Sequence, residues 1–188
     1  MSFYPDWMHC KSLGIDKQLL GSVLFLLVHH VLTGSVEQNL NEVWGHIIRE
    51  YDSQCSENRF GQMRQTMFTT KSAPKLQGKA GEIKDLGPVL VEVWRTHYNP
   101  NVEIHSKILI VLEGSAHCDN LLRSHPNEFA LPASVHEDLV ATAMIYLSTW
   151  YELSMHFKSL NLPLFGLTGK AHMFVHCCLM SRLVTHSL

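Results

Sequence analysis

The sequence predicts an all-α protein, an irregular bundle of six to eight helices. Apolar residues recur at spacings of three and four over most of the 188 residues. Convincing alternation with a period of two is missing, and a strand is considered only for Met1 to Met8 and Leu162 to Leu167. A composition of 46% apolar and 17% charged residues is typical of a globular chain that buries a core. The length fits one domain, divided into a motif-bearing N-terminal segment (1–15), a helical body (16–160) and a C-terminal helix (161–188).

The first helix is expected to begin at an N-cap formed by Ser12 or Asp16 and to end near Leu32. A capping box, Ser35 with Gln38, introduces a second helix from about Val36 to Asp52. A third, shorter helix is predicted from Arg59 to Phe68, because aromatic and methionine side chains recur there at helical spacing.

The second half begins with a polar loop, after which Lys79 to Tyr98 is predicted to be helical, with a kink or a break at Gly87-Pro88. The next helix, from Val102 to Arg123, is weakened by Gly114. A helix from Ser134 has the clearest pattern, a narrow apolar seam suited to packing against other helices. The last helix runs from Lys170 to Thr185. The predicted core contains Trp44, Leu90, Trp94, Ile108, Tyr146, Trp150 and Leu153.

Charge and cysteine usage restrict the classes of function. Fifteen basic and 17 acidic residues give a formal charge of −2, without the basic stripe typical of proteins that bind DNA or anionic membranes. The five cysteines have no regular spacing, so a reduced, intracellular protein of the nucleus or cytoplasm is expected. The longest apolar run, Val23 to Val28, is too short to span a bilayer, and no basic segment typical of a signal peptide precedes it. No membrane association is therefore expected.

Asp6 and His9 are the first candidates for chemistry. Their i, i+3 spacing places both on one side of a helical turn, where they can share a metal ion or a hydrogen bond. The alternative is structural: Asp6 caps the turn and His9 is a buried side chain with its hydrogen bonds satisfied. Spacing alone favours the structural alternative.

His172 and His176 form a second pair, spaced i, i+4 as in helical zinc sites. If the chain ends meet, His9 and Cys10 complete a set of four zinc-competent ligands with them. Against a catalytic zinc motif, Met173 stands where a glutamate is needed. The alternative is a core helix whose histidines pack against neighbouring side chains.

Other motifs are weak. Lys79 and Glu82 are most simply part of a solvated first turn of a helix. The glycines at positions 78 and 81 are too few for a phosphate-binding loop, and no serine or cysteine lies in a recognisable nucleophile signature.

Three segments, in order, resemble one family. They are Asp-Trp-Met-His-Cys-Lys-Ser-Leu-Gly-Ile at 6–15 with Gln-Leu-Leu at 18–20, Leu-Gln-Gly-Lys-Ala-Gly-Glu-Ile-Lys at 76–84, and Lys-Ala-His-Met-Phe-Val-His at 170–176. We call them the first, second and third motif segments. Similar segments occur in this order in eukaryotic DDE transposase-derived proteins of the CACTA and Kyakuja-Dileera-Zisupton type, mobile-element enzymes with an RNase H-like fold.

The resemblance implies specific roles. Asp6 and His9 correspond to the family's Asp-x-x-His pair, Lys79 and Glu82 to its Lys-Ala-x-Glu segment, and His172 and His176 to its late histidine pair. The family places its first two catalytic aspartates before the first pair, which here means before residue 1, and its third catalytic acid after the last pair. No Asp or Glu follows Glu152 in this sequence. The family's Mg²⁺ or Mn²⁺ site, which needs several carboxylates, therefore cannot be assembled from this chain.

The resemblance thus implies an inactive remnant consisting mainly of the family's helical insertion, and a nucleic-acid partner is expected only through it. The alternatives are a self-contained helical module that binds a protein partner, and a zinc-binding protein using the histidine and cysteine cluster. Since the first and third motif segments bracket the insertion in the family, they should meet here. His9 should then lie near His172 or His176, with Asp6 hydrogen-bonded to an imidazole.

Overall fold

The computed structural model describes residues 6–70, 73–126 and 130–181. Within these ranges the protein is all-α, with six helices, one short 3₁₀ turn (Gln65–Met67) and no strand, so the predicted fold class is confirmed. Leu162 to Leu167 is irregular, and most of Met1 to Met8 lies outside the described residues. The helices are α1 (Trp7–Val31), α2 (Val36–Ser53), α3 (Ala80–His97), α4 (Glu103–Arg123), α5 (Ala133–Ser159) and α6 (Gly169–Met180).

Helix α1 is the centre of the bundle and contacts α2, α3, α4 and α6. Its N-cap is Asp6, whose Oδ1 accepts a hydrogen bond of 2.8 Å from the Met8 N–H. The predicted N-caps, Ser12 and Asp16, were wrong, because both residues lie within the helix, several residues after its start. Their side chains are buried in the bundle. Two stretches of α1, Lys11–Ile15 and Leu27–Val31, are π-helical.

The end of α1 is fixed by a buried side chain of α2. The Asn39 side-chain amide donates to the carbonyl oxygens of Val28 and Leu32, at 2.8 and 3.2 Å. These bonds satisfy acceptors that a helix C-terminus leaves without partners. The predicted capping box at the start of α2 is confirmed, since the Gln38 N–H donates to Ser35 Oγ and the Ser35 N–H to Gln38 Oε1.

The predicted helix from Arg59 to Phe68 was wrong, as was the possible break in α3. That segment contains a single 3₁₀ turn on an otherwise irregular path, along which Phe60, Met63 and Phe68 are buried. That path is tied to the central helix where the Leu76 N–H donates to the Lys17 carbonyl, at 2.8 Å. In α3, Gly87-Pro88 does not divide the helix. Buried side chains lie on both sides of Pro88, and their packing outweighs the missing backbone hydrogen bond.

Helices α4 and α5 form the most extensive contact in the bundle. They approach so closely that a β-carbon on Gly114 would lie 2.6 Å from Cβ of Tyr146. The Trp150 Nε1–H donates to the Phe165 carbonyl at 2.7 Å, which joins α5 to the segment before α6. Six of the seven predicted core residues are buried, and Trp44 is half-buried.

One helix, Trp7–Val31, is long and apolar enough to cross a membrane by length and composition, with a mean hydropathy of 1.2. This is weak support for a membrane span, because 72% of its most apolar window is buried within the fold. A core helix surrounded by other helices meets the same criterion.

Candidate functional site where the motif segments meet

The first and third motif segments, far apart in the sequence, pack against each other. The rings of Trp7 and Phe174 meet edge-on, with centroids 4.9 Å apart. The Lys170 Nζ donates to the His9 carbonyl at 3.1 Å. Beside them, burial raises the pKa of Cys177 to about 12, and a hydrogen bond with the Cys10 side chain contributes. The prediction that these two segments meet is confirmed.

The second motif segment reaches the same region. Trp7 and Met8 of the first segment and Gly81 and Lys84 of the second line a groove of about 490 Å³, which Arg123 of α4 also borders. At the start of α3, the Lys79 N–H donates to Glu82 Oε2 at 2.7 Å. This contact is half of a capping box, so Lys79 and Glu82 have a visible structural role.

Asp6 and His9 form a direct hydrogen bond, with Oδ2 and Nδ1 2.6 Å apart. This bond is the main cause that lowers the pKa of Asp6. A carboxylate on Nδ1 favours the tautomer with a proton there and leaves Nε2 as the acceptor. The expected hydrogen bond between Asp6 and an imidazole is therefore confirmed. The alternative that His9 is a buried side chain is wrong, because 62% of that side chain is exposed.

The two histidines of the third motif segment also touch each other, since their Nε2 atoms lie 3.0 Å apart on the exposed side of α6. However, within the described residues His9, Cys10, His172 and His176 do not bring three donor atoms within 4.8 Å of one another. A zinc site at these four residues stays a prediction.

The least expected feature is a buried ionic network on the first motif segment. The Lys11 side chain is completely buried, and its Nζ donates to Asp16 Oδ2 (2.9 Å), Ser115 Oγ (2.9 Å) and Asp119 Oδ2 (2.6 Å). The Ser115 hydroxyl donates to Asp16 Oδ1, at 2.9 Å. The Trp7 Nε1–H donates to Asp119 Oδ1, at 3.3 Å. Every proton of the ammonium group thus has an acceptor.

Burial acts differently on the members of this network. For Lys11, burial disfavours the charged form, but attraction by Asp119 and Asp16 outweighs it and raises the pKa of the ammonium group. For Asp16, burial is the largest effect and raises the pKa, while Lys11 opposes it. The network joins the start of α1 to α4. It occupies two carboxylates that would otherwise be free to bind a metal ion.

Sequence reasoning did not find this network. One signal was present, because Ser115 and Asp119 interrupt the apolar stripe of α4 at i, i+4 spacing. The pairing of Lys11 with Asp16 could not be predicted from α-helical spacing, in which side chains three or four residues apart are neighbours. Residues five apart come close together here because this stretch is π-helical.

No protein-family model, curated protein or solved structure matches this chain.

Proposed function

We propose that this chain is a transposon-derived helical domain without catalytic activity, which binds the RNase H-like domain of a DDE transposase-type protein. The observation that carries the proposal is the convergence of three motif segments at one place. Segments that resemble the sequences bracketing an insertion would have to return to one catalytic domain, and here they lie together.

The surface that these segments present suits a protein partner. Helix α6 buries little of itself, and Phe174 and Cys178 are its buried residues. The opposite side carries exposed methionine, leucine and imidazole groups, and the start of α1 exposes Met8 and His9. We call this the motif face, and its exposed residues are Met8, His9, His172, Met173, His176 and Leu179. Apolar side chains that are exposed together as a patch commonly mark a surface that binds another protein.

We propose that the chain is not catalytic because its candidate carboxylates already have partners. Asp16 and Asp119 are committed to Lys11, and Asp6 to His9. A two-metal nuclease site needs carboxylates that converge on the ions. Purified chain with Mg²⁺ or Mn²⁺ should therefore neither cleave DNA nor transfer strands. Metal-dependent cleavage that disappears in Asp6→Asn would contradict this part of the proposal.

The binding part is tested by expressing the chain together with the RNase H-like domain of a CACTA-type transposase. Co-purification at a fixed stoichiometry is expected. Met173→Glu with His176→Glu should weaken the complex by at least about tenfold, because it places charge in an apolar contact. Ile145→Glu, at a 60% exposed position on α5, is the matched control and should have no effect. Lack of any complex, or equal loss in the control, would refute the proposal and favour a self-contained interaction module.

A further inference from the structure

We propose that Glu42, His46 and His97 form a binding site for a divalent transition-metal ion, with Zn²⁺ as the best fit. The site is separate from the motif segments and from the proposed docking function. Glu42 and His46 are one turn apart on α2, so both side chains project from the same face. His97 is the last residue of α3, the helix packed against α2.

The geometry brings the three donors together. One ligand atom from each of the three residues lies within 4.8 Å of the other two. The two imidazole rings are stacked, with centroids 5.3 Å apart and an angle of 23° between their planes. In a tetrahedral zinc site, bonds of about 2.0–2.1 Å place the donor atoms about 3.3 Å apart. Rotations of the Glu42, His46 and His97 side chains would have to close the remaining difference.

An independent observation also indicates a missing ligand. The Nε2 atom of His97 is buried and has no hydrogen-bond partner among the residues that the structure describes. Buried polar atoms in folded proteins are nearly always paired with a protein group, water or an ion. A metal ion held by the stacked pair would supply that partner.

The electrostatic setting is compatible with binding. Burial lowers the pKa of His97, and His46 lowers it further while Glu42 opposes them. A neutral imidazole, the form that binds metals, is therefore favoured. Within the described residues, no lysine or arginine forms a salt bridge with Glu42.

The donor set selects the metal. Two imidazoles and one carboxylate form a set used in zinc sites that keep a fourth position for water, and exposed Glu42 leaves that side accessible. Mg²⁺ and Ca²⁺ prefer six or more oxygen ligands and are not suited. Binding would link α2 to the end of α3 and so add to the stability of the fold.

The test is titration of the full chain, freed of metal by a chelator, with Zn²⁺ and with Co²⁺ as a spectroscopic probe. One ion per chain is expected. At a zinc concentration about 100-fold above Kd, the melting temperature should rise by about 5–10 °C for a chain of this size. The matched variants are His46→Ala with His97→Ala, and His172→Ala with His176→Ala, each removing two histidines.

The first pair of substitutions should weaken zinc binding at least about tenfold and so reduce the rise in melting temperature to about half or less. The second pair should leave both unchanged. Glu42→Ala, at an exposed position that the fold does not need, should also weaken binding and covers the case in which the His97 variant fails to fold. Failure of the unmodified chain to bind zinc, or loss of binding only in the His172 and His176 variant, would overturn the proposal.

Discussion

Replacement of Lys11 by methionine tests whether the buried network holds the fold together. Methionine retains most of the apolar length of lysine and removes the charge. It also removes three hydrogen bonds, to Asp16, Ser115 and Asp119, at 2.6–2.9 Å. The two carboxylates would remain in a site where their side chains are 4% and 7% exposed. The substitution therefore leaves buried negative charge without its counter-ion.

Breaking a buried ion pair by removing one partner typically costs about 3–5 kcal/mol. We expect Lys11→Met to lower the free energy of unfolding by at least this amount, since two carboxylates lose the same cation. Adding Asp16→Asn and Asp119→Asn should recover at least about 2 kcal/mol, because removing all the charges relieves most of the penalty. This recovery distinguishes uncompensated charge from simple loss of packing.

The measurement is urea unfolding followed by far-UV circular dichroism at neutral pH, with similar m values required in all variants. A cost below about 1 kcal/mol for Lys11→Met is typical of a surface ion pair and would refute the reasoning. A triple variant less stable than the single one would show that shape, and not charge, decides the stability of this region.

Three further predictions concern stability. Because burial raises the pKa of Asp16, there is a pH range just above its ordinary value in which the folded state keeps a proton that the unfolded state has released. The free energy of unfolding should therefore fall as pH rises above the ordinary value of 3.8, and urea titrations should show less of this decline in Asp16→Asn. Leu153→Ala, at a fully buried position, should cost about 2–5 kcal/mol in urea unfolding, whereas Met155→Ala, 48% exposed on the same helix, should change stability by at most about 0.5 kcal/mol. Gly114→Ala should lower the melting temperature, since its β-carbon would lie 2.6 Å from a tyrosine of α5, while Gly45→Ala, whose nearest contact is 3.6 Å away, should raise it.

The parts of the fold that could be predicted from the sequence depend on local rules. The capping box at Ser35 follows from two side chains three residues apart. The seam of α5 follows from periodicity, which correctly placed Trp150 and Leu153 in the core. Gly114 was taken as a weakness of α4. Its role is visible only once Tyr146 lies against it, because a close approach between helices depends on tertiary structure.

The parts that could not be predicted depend on contacts between distant residues. The segment from Arg59 to Phe68 has helical spacing, but Phe60, Met63 and Phe68 are buried along an irregular path, and tertiary packing overrides local propensity. The motif pair Asp6 and His9 was found by spacing, and its hydrogen bond is local. The metal site that we propose has one local half, Glu42 with His46. Its other half, His97, has no ligand spacing to either residue, since 51 residues separate it from His46.

The two proposed sites can be tested independently because α3 separates them. Its first residues, Ala80 and Gly81, border the groove beside Trp7, and its last residue, His97, belongs to the metal site. At 1.5 Å per residue, the 18 residues of α3 span at most about 27 Å, and the two sites lie at its opposite ends. Chelation of a bound ion should therefore not remove a contact on the motif face. If it abolished partner binding, the ion would have to act through α3 as a whole, by setting how firmly that helix packs on α2.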